Sequence, residues 1–296
     1  MNISMPCFKL VRVAVAAAAM GLAGAFTALP ANAQPKAVVT PLRGTDVHFE
    51  YDGLDVGRPE RAWLGRAFVH HLAAAEPNLP RPMVVFIHGT NAALIKYRWM
   101  GGGPEGDLRR VLSELMDSGQ IEPVILAGPS AILPSVVANA RNIWPSFDLD
   151  LFVRLASEKL HGRATVDRRR IIVVAHSGGG CNPNGGIATA LQGTLVPMAA
   201  LSVDSCMDTD LAALLARARP ETRIVVTWQT QGWATRPFEA FVKAFHHEVE
   251  LAAFAEGVQR ELDEATVLEP MPHDAILPLA LRKWLPRLLS PGDAEL

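Results

Sequence analysis

Short continuous apolar runs alternate along this chain with longer stretches whose apolar residues recur at helical spacing. The runs at 83–87, 123–127, 171–174, 196–203 and 223–228 read as strands buried on both faces, the pattern of a parallel sheet covered by helices. Between them, 107–116 sets Leu108, Val111, Leu112 and Leu115 on one stripe, and 148–160, 185–192 and 211–219 read as further helices. A long helix is expected at 237–264, where Phe238, Phe241, Phe245, Val249, Ala252 and Ala253 keep helical spacing. A last strand at 266–268 and a closing helix at 275–289 follow. Two short strands, 47–51 and 67–72, precede the first buried run. Strands separated by helices in this rhythm predict an α/β fold, a doubly wound, mostly parallel sheet with helices on both faces.

The first 33 residues stand outside that pattern. Lys9 and Arg12 form a positive start, an Ala-rich apolar stretch follows, and Ala31-Asn32-Ala33 supplies a small-x-small cleavage site. This predicts a cleaved signal peptide at 1–33 and a single domain over 34–296, exported to the periplasm or beyond. A membrane anchor is the competing reading, disfavoured by the short stretch, its Ala and Gly content and Pro30. The whole chain has a formal net charge of −2, and losing Lys9 and Arg12 makes the remainder more acidic. Nucleic-acid binding therefore has no electrostatic support. The one dense basic run, Arg168-Arg169-Arg170, reads as a solvated turn before a strand.

Cys181 and Cys206 remain after the signal. Neither has metal-ligand spacing, and His70-His71 and His246-His247 are adjacent pairs, which on a strand or helix point different ways. No metal and no organic cofactor is expected.

The chemistry concentrates at Ala175-His176-Ser177-Gly178-Gly179, directly after the 171–174 strand. Small residues two before and two after a serine mark a tight strand-to-helix turn that lifts the hydroxyl clear of the sheet, with the Gly178 N–H beside it. A second oxyanion donor is expected from the loop His88-Gly89-Thr90-Asn91, Thr90 first and Asn91 next. A serine hydroxyl needs a base. His273, between the last strand and the closing helix, is the leading candidate. His176 is the rival, but neighbours on such a turn diverge. The acid is less determined, because no carboxylate follows the 223–228 strand until Glu239. Asp204, at the end of the preceding strand, is favoured over Asp208 and Glu239. If the 171–174 and 196–203 strands are neighbours, Cys181 and Cys206 emerge at one edge and pair as a disulfide.

Residues 81–89, Ala175 to Gly179 and Pro272-His273-Asp274 together resemble the α/β-hydrolase superfamily, in particular its secreted esterase and polyester-depolymerase-like members. The resemblance spans about 67–289. It implies a serine–acid–histidine triad in the chain order found here and a small-molecule or polymeric ester as substrate. Its commonest acid position, after the penultimate strand, is vacant here. A peptidase or amidase on the same residues is one alternative. A binding protein using Trp228 and Trp233 as a stacking surface is another. Oligomeric state has no signature in the sequence.

Overall fold

A computed structural model describes residues 41–51, 63–91, 95, 99, 106–130, 140–232 and 237–290. The expected signal peptide, Trp233 and the glycine-rich stretch 101–103 lie outside the described residues.

The strands are β1 (Gly44–Tyr51), β2 (Trp63–His70), β3 (Pro80–Ile87), β4 (Ile125–Ser130), β5 (Thr165–His176), β6 (Ala199–Val203), β7 (Arg223–Gln229) and β8 (Arg260–Ala265). The helices are α1 (His71–Ala74), α2 (Leu108–Asp117), α3 (Leu149–Leu160), α4 (Gly186–Gln192), α5 (Thr209–Ala216), α6 (Phe238–Ala252) and α7 (Pro272–Leu288). Among the described residues, these eight strands form one sheet in the order β1-β2-β4-β3-β5-β6-β7-β8. β1 and β2 run antiparallel at one edge, and β4 through β8 and β3 are mutually parallel.

The apolar runs form the centre because both of their faces are covered. Met83, Val85 and Ile87 of β3, with Ile171, Val173 and Ala175 of β5, pack under α3, α4, α5 and α6. Their neighbours Val84, Phe86, Ile172 and Val174 face α2 and α7 on the other side, against Leu112, Leu115, Leu281 and Trp284. Period-2 side chains thus divide one continuous apolar run between two cores. The stripe expected on α2 is buried, and the helix begins where the Asp107 side chain accepts from the Arg109 N–H at 3.0 Å.

Four local readings change. The helix expected over 237–264 stops at Ala252, with Ala253 in the left-handed region (φ 44°) and Gly257 beyond it (φ 95°). The last strand is therefore β8, not 266–268, and it is polar: an edge strand needs no second apolar face. Asp263 of β8 instead accepts from the Trp284 indole N–H at 3.1 Å and from Lys283 at 2.6 Å. β5 starts before the arginine run. Arg168-Arg169-Arg170 sit where its register to β3 jumps from Val166 to Ile171, with Arg168 paired to Asp150 and Arg170 to Glu122. β2 ends at His70, so His71 begins a helix instead of continuing the strand. Burial, and then the neighbouring His71, lower the pKa of His70 below the usual imidazole value.

Among the described residues, no helix is long and apolar enough to cross a membrane.

Candidate active site

β5 and β6 are hydrogen-bonded neighbours, with His176 opposite Val203. The next residue on each strand is Ser177 and Asp204, so the sheet register alone brings these two to the same edge. Both hold left-handed backbones, at φ 54° and 46°. Non-glycine residues seldom adopt that conformation, and here two of them turn the chain out of adjacent strands. Ser177–Gly180 makes one 3-10 turn. Gly179 belongs in it because a Cβ there would stand 2.3 Å from the Ile87 carbonyl oxygen.

The loop leaving β3 closes over the turn. A Cβ added to Gly89 would lie 2.6 Å from the Ser177 Cβ and 2.9 Å from both the Ser177 Oγ and the Gly178 N. Gly89 is therefore required by contact with the serine itself. His88, fully buried, donates from Nδ1 to the Gly89 carbonyl at 2.6 Å, and the Trp144 indole N–H donates to the His88 carbonyl at 2.8 Å. Thr90 is exposed in this loop, whereas Asn91 is buried with its side chain bridging the Ile95 N–H and carbonyl. If Ser177 is a nucleophile, the Gly89→Ala variant is expected to lower its turnover of a chromogenic ester about 10- to 100-fold, because a displacement of about 1 Å between reacting groups costs up to that much. Steady-state kinetics on a chromogenic ester check it; an unchanged kcat would mean the loop does not bear on Ser177.

Asp204 is completely buried. Its backbone N–H donates to Thr227 at 2.8 Å, and its carboxylate Oδ2 accepts from His273 Nδ1 at 2.5 Å. The same oxygen accepts from the Gln229 side-chain amide at 2.9 Å, with the Gln229 backbone N–H at 3.4 Å from Oδ1. Gln229 is in turn fixed by the Gly232 N–H, which donates to its Oε1 at 2.8 Å. The last residue of β7 thus serves the carboxylate that follows β6, an amide contact for which the sequence holds no motif. The two competing acids lie elsewhere. Asp208 pairs with Arg141 at 2.6 Å, and Glu239 is exposed in the first turn of α6.

His273 does not precede the closing helix, as the sequence suggested, but is its second residue, because Pro272 starts α7. Proline at the first helical position is preorganised for a helix start, which fixes the imidazole above the strand ends. His176, nearly fully buried, lies with its ring 4.6 Å from that of His273 and donates from Nε2 to the His273 carbonyl at 2.7 Å. The residue beside the serine therefore props the other histidine's backbone.

Cys181 and Cys206 form a disulfide with Cα atoms 5.0 Å apart, joining the end of the Ser177 turn to the loop after Asp204. With a sequence separation of 25, loop-closure entropy assigns the bridge about 3.5 kcal/mol. The Cys181→Ala/Cys206→Ala double variant is expected to lose that much in urea unfolding; equal midpoints and slopes for both proteins would contradict it.

A groove of about 500 Å³ runs beside the first turns of α7, lined by Met271, Asp274, Pro278, Leu279 and Arg282, with Glu114 of α2 opposite. Trp228 is buried and stacked on Phe238, ring centroids 6.3 Å apart. It belongs to the core and presents no stacking face to a ligand.

No protein-family profile matches the sequence, and no curated protein sequence matches it. Solved structures do share the fold. A ferulic acid esterase superposes with a TM-score of 0.58 at 14% identity, covering 84% of this chain and 98% of that one. A feruloyl esterase module from Clostridium thermocellum, complexed with sinapinate, gives 0.55 at 12% identity, over 84% and 89%. An S-formylglutathione hydrolase from Staphylococcus aureus gives 0.52 at 11% identity, over 83% and 99%. The chain has the α/β-hydrolase fold.

Proposed function

We propose that this chain is an exported serine hydrolase that cleaves carboxylic esters through an acyl-enzyme. Ser177 is the nucleophile, His273 its base and Asp204 the acid that orients the base. The observation that carries the reading is the 2.5 Å hydrogen bond from His273 Nδ1 to the buried Asp204 carboxylate, at the sheet edge where Ser177 turns out of β5.

With its Nδ1–H donated in a hydrogen bond to the Asp204 carboxylate, His273 offers an Nε2 lone pair to the Ser177 hydroxyl. The deprotonated oxygen attacks the ester carbonyl, and the N–H groups of Gly178 and Thr90 hold the oxyanion. His273 then protonates the departing alkoxide. It next draws a proton from water, which hydrolyses the acyl-enzyme and regenerates Ser177. Asp204 stays ionised throughout, balancing the transient imidazolium. The mature chain is a single domain over 34–296. Its disulfide favours an oxidising compartment, in keeping with the signal-like start.

The structural likeness to a ferulic acid esterase makes methyl ferulate a natural first substrate beside short and long p-nitrophenyl esters. A fluorophosphonate probe tests the chemistry independently of substrate choice. Labelling of Ser177 together with ester turnover is the expected result. An unlabelled serine would overturn catalysis, and faster cleavage of peptide anilides than of esters would make the chain an amidase.

A further inference from the structure

We propose that His70, His71 and Asp117 form a binding site for one zinc ion, remote from Ser177. Adjacent residues on a strand or a helix point apart, but His70 ends β2 and His71 begins α1. That corner swings the two imidazoles together, with ring centroids 4.2 Å apart and His70 Nε2 3.1 Å from His71 Nδ1. Asp117, the last residue of α2, places Oδ1 3.6 Å from His70 Nε2. The three ligand atoms lie within 4.8 Å of one another.

Zinc bonds to imidazole and carboxylate of ~2.0–2.1 Å at tetrahedral angles put neighbouring ligand atoms ~3.3 Å apart, close to the two shorter separations here. Two nitrogens and one oxygen suit zinc, whereas calcium and magnesium require mostly oxygen ligands. The location favours a cation as well, since the C-terminal carbonyls of α2 add partial negative charge beside Asp117. His70 is fully buried, which holds its Nε2 in place, and its Nδ1 has no hydrogen-bond partner among the described residues. Ligating histidines ordinarily donate that second N–H, so affinity in the micromolar range is expected rather than tighter.

A cation already uses this corner. The Arg43 guanidinium is 2.8 Å from Asp117 Oδ1, and the Arg43 carbonyl is 3.3 Å from His71 Nδ1. The Arg43 side chain is 59% exposed, so it can swing into solvent when zinc takes the carboxylate. The pairing of β2 with β4 is antiparallel, Leu64 opposite Ser130 and Val69 opposite Ile125. His70 therefore stands at the edge where the parallel strands begin, and Ser177 at the edge where they end. Zinc here clamps β2 to α2 and takes no part in the reaction at Ser177.

Calorimetric titration of chelator-treated mature protein with zinc chloride tests this directly, with melting temperature as a second readout. One ion per chain and a melting temperature raised by several degrees are expected. His71→Ala and Asp117→Ala should each weaken binding about 10- to 100-fold. Arg43→Ala should bind as tightly or more so, because the competing cation is gone. Calcium should produce no shift. Absence of binding at 100-fold molar excess would overturn the site, as would binding that survives both His71→Ala and Asp117→Ala. Neither readout depends on ester turnover.

Discussion

Replacing Ser177 with alanine is expected to lower kcat for ester hydrolysis by at least about 10⁴-fold while leaving the protein folded. Removing the nucleophile of a serine hydrolase leaves only oxyanion donors and binding, and rate losses near ~10⁶-fold have that origin. Alanine keeps a Cβ, so the contact of Ser177 with Gly89 is preserved, and neither core loses a side chain. The left-handed backbone costs alanine much what it costs serine, on the order of 1 kcal/mol. Unfolding curves of the two proteins should therefore nearly coincide. A variant that still turns over substrate at even one per cent of the original rate would remove Ser177 from the mechanism.

The Asp204→Asn variant is expected to lower kcat about 10³- to 10⁴-fold, with KM changed far less. An asparagine amide facing His273 Nδ1 as a donor stabilises the other tautomer, with the proton on Nε2 and no lone pair for the serine. The surroundings of Asp204 make this a severe test. The residue is fully buried, and its Oδ2 takes hydrogen bonds from both His273 and Gln229. Asparagine puts an NH2 where one carboxylate oxygen stood, so at least one N–H donor now aimed at the carboxylate, from His273 and Gln229 on Oδ2 or from the Gln229 backbone on Oδ1, meets another donor. Asp208→Asn and Glu239→Gln supply the comparison. If either of those lowers kcat as much as Asp204→Asn, the acid has been misassigned.

Much of the fold is legible in the sequence because the central strands are apolar on both sides. No surface element needs a run such as Ile171 to Val174, and its buried neighbours follow from it. The polar edge is where that reasoning stops. β8 carries Arg260, Glu261, Asp263 and Glu264, and only its pairing with β7 identifies it as a strand. Likewise the helical spacing from Phe238 to Ala253 carries no sign that the backbone turns left-handed at Ala253. At the candidate site, the serine turn and the histidine after the last strand have motifs of their own, but the acid has none. Asp204, Asp208 and Glu239 differ through sheet register, and register is a tertiary property. Gln229 is the least legible of all. An amide at the end of β7 has meaning only once β6 has put a carboxylate next to it. The histidine corner at His70 and His71 was hidden for a related reason, since its geometry depends on the residue at which β2 gives way to α1.

The placement of Ser177 and Asp204 just past the ends of neighbouring strands bears on how such a protein diversifies. Their spacing is set by the rigid ladder between β5 and β6, together with a covalent tie just beyond it. Under the proposed function, a nucleophile and an acid held this way by the scaffold need no outer loop to keep them aligned. Loops around them could lengthen, shorten or be replaced by a foreign segment without moving Ser177 relative to Asp204. Substrate range would then be a property that evolution or an engineer changes by grafting, while the machinery beneath is inherited whole.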